Sequence, residues 1–209
     1  MSKPAKIRVM VADDHPVVCM GLSAMISTQP DMTLVAEAAN GREAIELFKR
    51  HQPDVTLMDL RMPECGGVEA IRTIRGFSQD GGFIVLTTYQ GDEDIHRALM
   101  AGAQAYLLKG MPHGELLQAI RSVHAGRRYL PPAVMKSLAE RPPGTQLSTR
   151  ELDILRLIFK GLSNKQIAEK LGITEGTVKW HINIILSRLN VRDRTQAVVT
   201  ALHRGIVEF

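Results

Sequence analysis

The stretch IRVMVADD, residues 7–14, decides how the first half of the chain folds. Ile7 to Ala12 is a short apolar run with β-branched residues that stops at two carboxylates, Asp13 and Asp14. Such a run reads as a buried strand. Val55 to Met58 repeats the pattern and stops at Asp59. Working outward, Thr33–Ala38, Phe83–Thr87 and Ala105–Leu108 read as three further strands. Helices are expected over Pro16–Gln29, Gly41–Arg50, Val68–Arg75, Asp92–Ala101 and His113–Ala125, with Gly102 closing the fourth. The strand runs are continuously apolar rather than alternating, so both faces of the sheet should be covered, as in a parallel sheet. The expected fold for residues 1–130 is α/β, a flavodoxin-like doubly wound parallel sheet of five strands.

Right-handed crossovers bring all strand C-termini to one edge. Asp13, Asp14, Asp59, Thr87 and Lys109 should therefore meet where open α/β sheets bind ligands. Three carboxylates together are costly unless a cation neutralises them. Oxygen ligands of this kind suit Mg²⁺, which keeps waters that phosphate can replace. Asp59 could then act as a nucleophile and carry a phosphoryl group as an acyl phosphate. Lys109 and the Thr87 hydroxyl are placed to engage its oxygens. Singly, each Asp is more often a helix or turn cap; five such residues at strand ends are harder to explain that way. Tyr89 and Tyr106 could simply fill sheet-edge positions with their hydroxyls in water. Gly66-Gly67 is expected to loosen the segment after Asp59.

Pro131-Pro132, Pro142-Pro143 and Gly144 mark a linker over residues 131–146, with a short helical piece at 134–139. Residues 147–209 read as a small all-α unit of four helices, at 149–159, 164–171, 175–189 and 194–204. Charge follows this division. Residues 1–130 hold 14 Lys+Arg against 15 Asp+Glu, and residues 131–209 hold 12 against 7, so the excess of +5 lies in the C-terminal part. A polyanion would be drawn there, although solubility alone can account for such an excess.

Ser148-Thr149-Arg150-Glu151 and Ser163-Asn164-Lys165-Gln166 are capping boxes. Gly172 permits a tight turn, and Thr174 caps the next helix. In that helix Val178, Ile182, Ile185 and Leu189 recur at helical spacing and should pack inward. Lys179, Asn183 and Ser187 fall on the opposite side, with Trp180 beside them. Lys and Asn can read base edges in a major groove, and a helix after a short helix and tight turn can be presented to one. Thr177, Asn164, Lys165, Arg192, Arg194 and Thr195 are candidates for phosphate contacts. His181 is expected to be internal, and Trp180 exposed.

Cys19 and Cys65 have no metal or disulfide spacing. The N-terminus has no signal-peptide core, and no apolar run approaches membrane-spanning length. A cytoplasmic location without membrane contact is expected.

Residues 7–125 resemble a response-regulator receiver domain, through DDHPVV at 13–18, MDLRMP at 58–63, LTTY at 86–89 and GAQAYLLK at 102–109. That resemblance implies Asp59 as phosphoacceptor, with Mg²⁺ held by Asp13, Asp14, Asp59 and the backbone carbonyl of Arg61. It implies Thr87 and Tyr106 as switch residues, Lys109 as the site lysine, and a sensor histidine kinase as phosphoryl donor. Residues 147–198 resemble the LuxR-type helix-turn-helix of the NarL/FixJ class. This implies Lys179, Trp180 and Asn183 as base-facing residues, the last helix as a dimerisation helix, and a homodimer on an inverted-repeat promoter site in double-stranded DNA. The chain is then no enzyme beyond weak autodephosphorylation. It departs from the usual pattern at Gly110, at Cys19 and in the loop Glu64-Cys65-Gly66-Gly67. Two rival readings are a DNA-binding protein uncoupled from its acidic edge, and a stand-alone phosphotransfer enzyme, which leaves the basic helices unexplained.

Overall fold

The computed structural model describes residues 5–88, 91–140 and 146–207. Tyr89 and the Pro142-Pro143-Gly144 part of the expected linker lie outside the described residues. The chain forms two compact units, residues 1–89 with 95–135, and residues 136–209 with the short segment 90–94.

Residues 7–124 alternate β1 (Ile7–Ala12), α1 (Pro16–Ser27), β2 (Met32–Ala38), α2 (Gly41–His51), β3 (Val55–Met58), α3 (Gly67–Arg75), β4 (Gly82–Thr87), α4 (Asp92–Ala101), β5 (Ala105–Leu108) and α5 (His113–His124). The strands form one parallel sheet in the order β2-β1-β3-β4-β5. Strand parity sorts the side chains. Val9, Val11, Leu57, Ile84 and Leu107 pack with Leu22 and Ile26 of α1 and Leu116 and Ile120 of α5. Residues of opposite parity face the other way, where Phe48 of α2 stacks on Phe83 of β4 with ring centroids 5.6 Å apart. Both faces are covered, as the unbroken apolar runs require.

Helix α6 (Pro132–Ala139) follows. The helical unit then comprises α7 (Thr149–Phe159), α8 (Asn164–Leu171), α9 (Glu175–Leu189) and α10 (Arg194–His203). Its core joins Ile154, Leu155 and Ile158 of α7 to Ile167 of α8, Val178 and Ile185 of α9, and Ala201 of α10. Both capping boxes form with their reciprocal bonds. Gly172 ends α8 at φ 64°, and the Thr174 side chain accepts from the Thr177 amide. Glu151 does more than cap. It is buried and takes Arg188 of α9 at 2.5 Å, and Arg188 also donates to the Gln146 carbonyl at 2.7 Å. This pair ties the start of α7 to α9.

Candidate phosphoryl site and nucleic-acid interface

Register brings the acidic residues together. Ala12 pairs with Met58 in neighbouring strands, and the Asp59 amide donates to the Ala12 carbonyl at 2.8 Å. Asp13 and Asp59 thus leave the sheet side by side. On the other flank Thr87 pairs with Leu108, and the Lys109 amide donates to the Thr87 carbonyl at 2.9 Å. Lys109 reaches across, and its Nζ lies 2.7 Å from Asp13 Oδ2 and 2.7 Å from Asp59 Oδ2. Asp59 Oδ1 accepts from the Leu60 amide at 2.7 Å. Asp13, Asp59 and Thr87 are buried, whereas Asp14 is partly exposed.

One ammonium serves two buried carboxylates. Burial pushes the Asp59 carboxyl above its ordinary range, and the hydrogen bond and charge of Lys109 only partly oppose this. Burial would lower the Lys109 pKa, but hydrogen bonds to Asp13 and Asp59 outweigh it and raise it. Burial therefore decides the direction for Asp59, and the anionic partners decide it for Lys109. Lys109 gains two anionic partners, while each carboxylate shares one cation.

The donor set fits a hard divalent ion. Asp13, Asp14 and Asp59, joined by His15, offer ligand atoms all within 4.8 Å of one another. The carboxylates outnumber the one lysine that contacts them, and oxygen donors of this kind suit Mg²⁺. A cleft of about 560 Å³ lined by Arg8, Phe48, Lys49, Asp54 and Phe77 opens beside the beginnings of β1 and β4, away from these carboxylates.

One expectation and one alternative reading need correction. Gly67 does not loosen the segment after Asp59. It is buried at the start of α3, and a Cβ there would stand 2.0 Å from the Asp59 carbonyl oxygen. The glycine lets α3 abut the loop that follows Asp59. Gly41 packs its own helix start against the same loop, donating to the Cys65 carbonyl at 3.1 Å. Nor does Tyr106 hold its hydroxyl in water, since the whole side chain is buried. Its parity in β5 turns it inward, on the face opposite that of Leu107.

On α9, Lys179, Trp180, Asn183 and Ser187 are all exposed, and Trp180 keeps 60% of its surface. Lys165 and Thr195 are also exposed, and Thr177 is half-buried. Arg194 is already engaged, donating to the Leu162 carbonyl at 2.9 Å. Asn164 Oδ1 and His181 Nδ1 are buried without hydrogen-bond partners. His15 carried no assignment from sequence, although it directly follows Asp13-Asp14; adjacency to that pair was the available signal.

The family described as "Response regulator receiver domain" matches residues 9–121, and that described as "Bacterial regulatory proteins, luxR family" matches residues 145–201. The chain belongs to the response regulators. It is 39% identical to the nitrate/nitrite response regulator protein NarL of Escherichia coli, over 95% of this chain and 96% of that protein. It is 43% identical to the transcriptional regulatory protein LiaR of Bacillus subtilis, over 95% of this chain and 98% of that protein. Among solved structures, ChrA of a heme-sensing two component system matches with a TM-score of 0.58 and 39% identity, over 97% of this chain and all of ChrA. RcsB of Salmonella enterica serovar Typhimurium, bound to a promoter, shares the fold with a TM-score of 0.73, at 24% identity over 96% of this chain and 99% of RcsB. The chain is thus a response regulator of the NarL/FixJ class, with a receiver and a LuxR-type DNA-binding domain, and acts in transcription regulation. It is a regulator rather than a conventional enzyme. Among the described residues, no helix is long and apolar enough to cross a membrane.

Proposed function

We propose that Asp59 accepts a phosphoryl group from a sensor histidine kinase and that this controls dimerisation and promoter binding. The observation that carries the proposal is Lys109 Nζ at 2.7 Å from both the Asp13 and Asp59 carboxylates. An Asp59 oxygen attacks phosphorus, the P–N bond of the donor phosphohistidine breaks, and its electron pair leaves with the imidazole. Asp13, Asp14, Asp59 and the Arg61 carbonyl would hold Mg²⁺. That ion supplies charge neutralisation of the transferring oxygens. Lys109 then has a new anion to engage, as does the Thr87 hydroxyl, and Tyr106 responds to the movement of Thr87. Such added charge and acceptor capacity can reposition a loop. Hydrolysis returns Asp59 to its carboxylate, at a rate too slow to make the chain an enzyme.

In the helical unit Lys179, Trp180 and Asn183 face the bases. Thr177, Asn164, Lys165, Arg194 and Thr195 lie toward the sugar–phosphate backbone, with Arg194 fixing the loop at Leu162 as well. The α10 helix pairs two copies on an inverted-repeat promoter site. Residues 1–130, 131–146 and 147–209 act as receiver, linker and effector of a cytoplasmic regulator. The test incubates the full chain with acetyl phosphate and Mg²⁺. A mass gain of one phosphoryl group, absent in Asp59→Asn, is expected, together with more dimer and tighter binding to duplexes selected from a random library. A gain that persists in Asp59→Asn would refute the assignment.

A further inference from the structure

We propose that Arg194 is a positioning residue for DNA binding, one that fixes the start of α8 so that Lys165 meets a backbone phosphate. This rests on the reading above, that Lys165 lies toward the sugar–phosphate backbone.

The bond lies where two helices begin. Arg194 is the first residue of α10, and its Nη2 donates to the Leu162 carbonyl at 2.9 Å. Leu162 directly precedes Ser163, the N-cap of α8. The peptide joining these two residues is therefore held at both ends. Its carbonyl accepts from Arg194, and its N–H donates to Gln166 Oε1 at 2.8 Å. The backbone that carries Arg194 is fixed as well. The Gln196 amide donates to Asp193 Oδ1 at 2.8 Å, and Gln196 Oε1 accepts from the Arg192 amide at 3.0 Å. Upstream of Leu162 the chain leaves α7 through Gly161, at φ 80°. A Cβ there would meet nothing within 4 Å, so the turn is not braced on that side. Arg194 supplies the brace from α10.

Charge placement separates these residues from ordinary helix capping. Helices α7 and α9 carry Glu151 and Glu175 in their first turns, where an anion suits the positive end of a helix. Helices α8 and α10 have no acidic residue there, and place Lys165 and Arg194 instead. A cation at a helix start is unfavourable, so helix stability accounts for neither residue. Arg188 has Glu151 as its counter-ion, whereas no ion pair engages Lys165 or Arg194 among the described residues. The Leu162 carbonyl takes one of the five guanidinium donors of Arg194. It offsets part of the misplaced charge and makes the side chain a strut between the two helix starts. Lys165, two residues beyond the N-cap, inherits its position from that strut.

The experiment binds the full chain to a duplex carrying a single half-site, so that pairing of copies does not enter, and follows fluorescence anisotropy against salt. Wild type, Lys165→Ala, Arg194→Ala and the double variant are compared. Lys165→Ala should lower the salt slope by about one. Arg194→Ala should lower it at least as far, and the double variant should lose no more than Arg194→Ala alone, because the Lys165 contact has already gone. In the free protein, amide exchange at Gln166 and Ile167 should quicken about ten-fold in Arg194→Ala, while that at Val178 and Ile185 holds. Arg194→Gln, which keeps part of the stem and removes the charged fork, is expected to give the same pattern and replaces the alanine variant if exchange in α9 also rises. Additive losses in the double variant, or unchanged exchange at Gln166 and Ile167, overturn the positioning role and leave two separate phosphate contacts standing. An unchanged slope in Lys165→Ala would overturn the phosphate contact itself, and the inference with it.

Discussion

Replacing Lys109 with Met tests the electrostatic account of the site most directly. The substitution keeps length and apolar bulk but removes the ammonium that lies 2.7 Å from two carboxylates. The Asp13 and Asp59 side chains are 2% and 5% exposed, so water replaces little of what is lost. Breaking a buried pair while leaving one partner charged costs about 3–5 kcal/mol. Asp59 can escape part of this cost by taking up a proton, because its carboxyl is already pushed up by burial and Lys109 supplies the largest opposing effects. The lower end, about 3 kcal/mol, is therefore expected near pH ~8 without divalent ions. The sign with pH follows from proton linkage. A carboxyl whose folded pKa exceeds its unfolded value leaves the native state holding more protons between the two values. Stability then falls as pH rises through that window. Removing Lys109 raises the folded value further, so the window widens upward and the penalty shrinks toward acid pH.

Amide hydrogen exchange of β1 and β3 in the full chain reads opening of the receiver separately from the helical unit. Corrected for intrinsic rates, Lys109→Met should exchange about a hundred-fold faster than wild type at alkaline pH. Saturating Mg²⁺ at about a hundred times its Kd should restore roughly 2.7 kcal/mol. Exchange within about three-fold of wild type, with no dependence on pH, would refute the idea that one lysine neutralises two buried carboxylates.

Further expectations concern packing and DNA. Gly67→Ala forces a Cβ to within 2.0 Å of the Asp59 carbonyl oxygen. It should destabilise the receiver by more than about 2 kcal/mol and slow phosphoryl acceptance, whereas Gly110→Ala, which meets no atom within 4 Å, should do neither. Glu151→Ala removes a cap and leaves Arg188 without its buried partner; a loss of about 3 kcal/mol in urea unfolding of the helical unit is expected. Lys179→Ala should weaken specific binding more than non-specific binding, and Lys165→Ala should weaken both alike and lower the salt slope by about one; equal loss of specificity in the two variants, read by fluorescence anisotropy on selected and scrambled duplexes, would contradict these roles.

What could be read in sequence was whatever depends on near neighbours. An apolar run followed by Asp fixes a strand and its end, and Ser148 with Glu151, three positions apart, fixes a helix start. The first three helices of the effector therefore begin where the caps named from sequence stand. What could not be read depends on partners far along the chain or on parity. Glu151 shows its cap but not Arg188, 37 positions away. Tyr106 lies in a strand apolar at every position, and such a run conceals which residues face which layer. Gly67 reads as freedom because glycine permits it, yet here the missing Cβ is what allows a helix start to touch the Asp59 carbonyl. Lys109 combines both limits. Its position after a strand made it a candidate, but its division between Asp59, 50 positions back, and Asp13 emerges only once the sheet order is known. That division leaves neither carboxylate fully matched. A site short of positive charge, with Gly41 and Gly67 bringing two helix starts against its loop, is suited to take up a divalent cation.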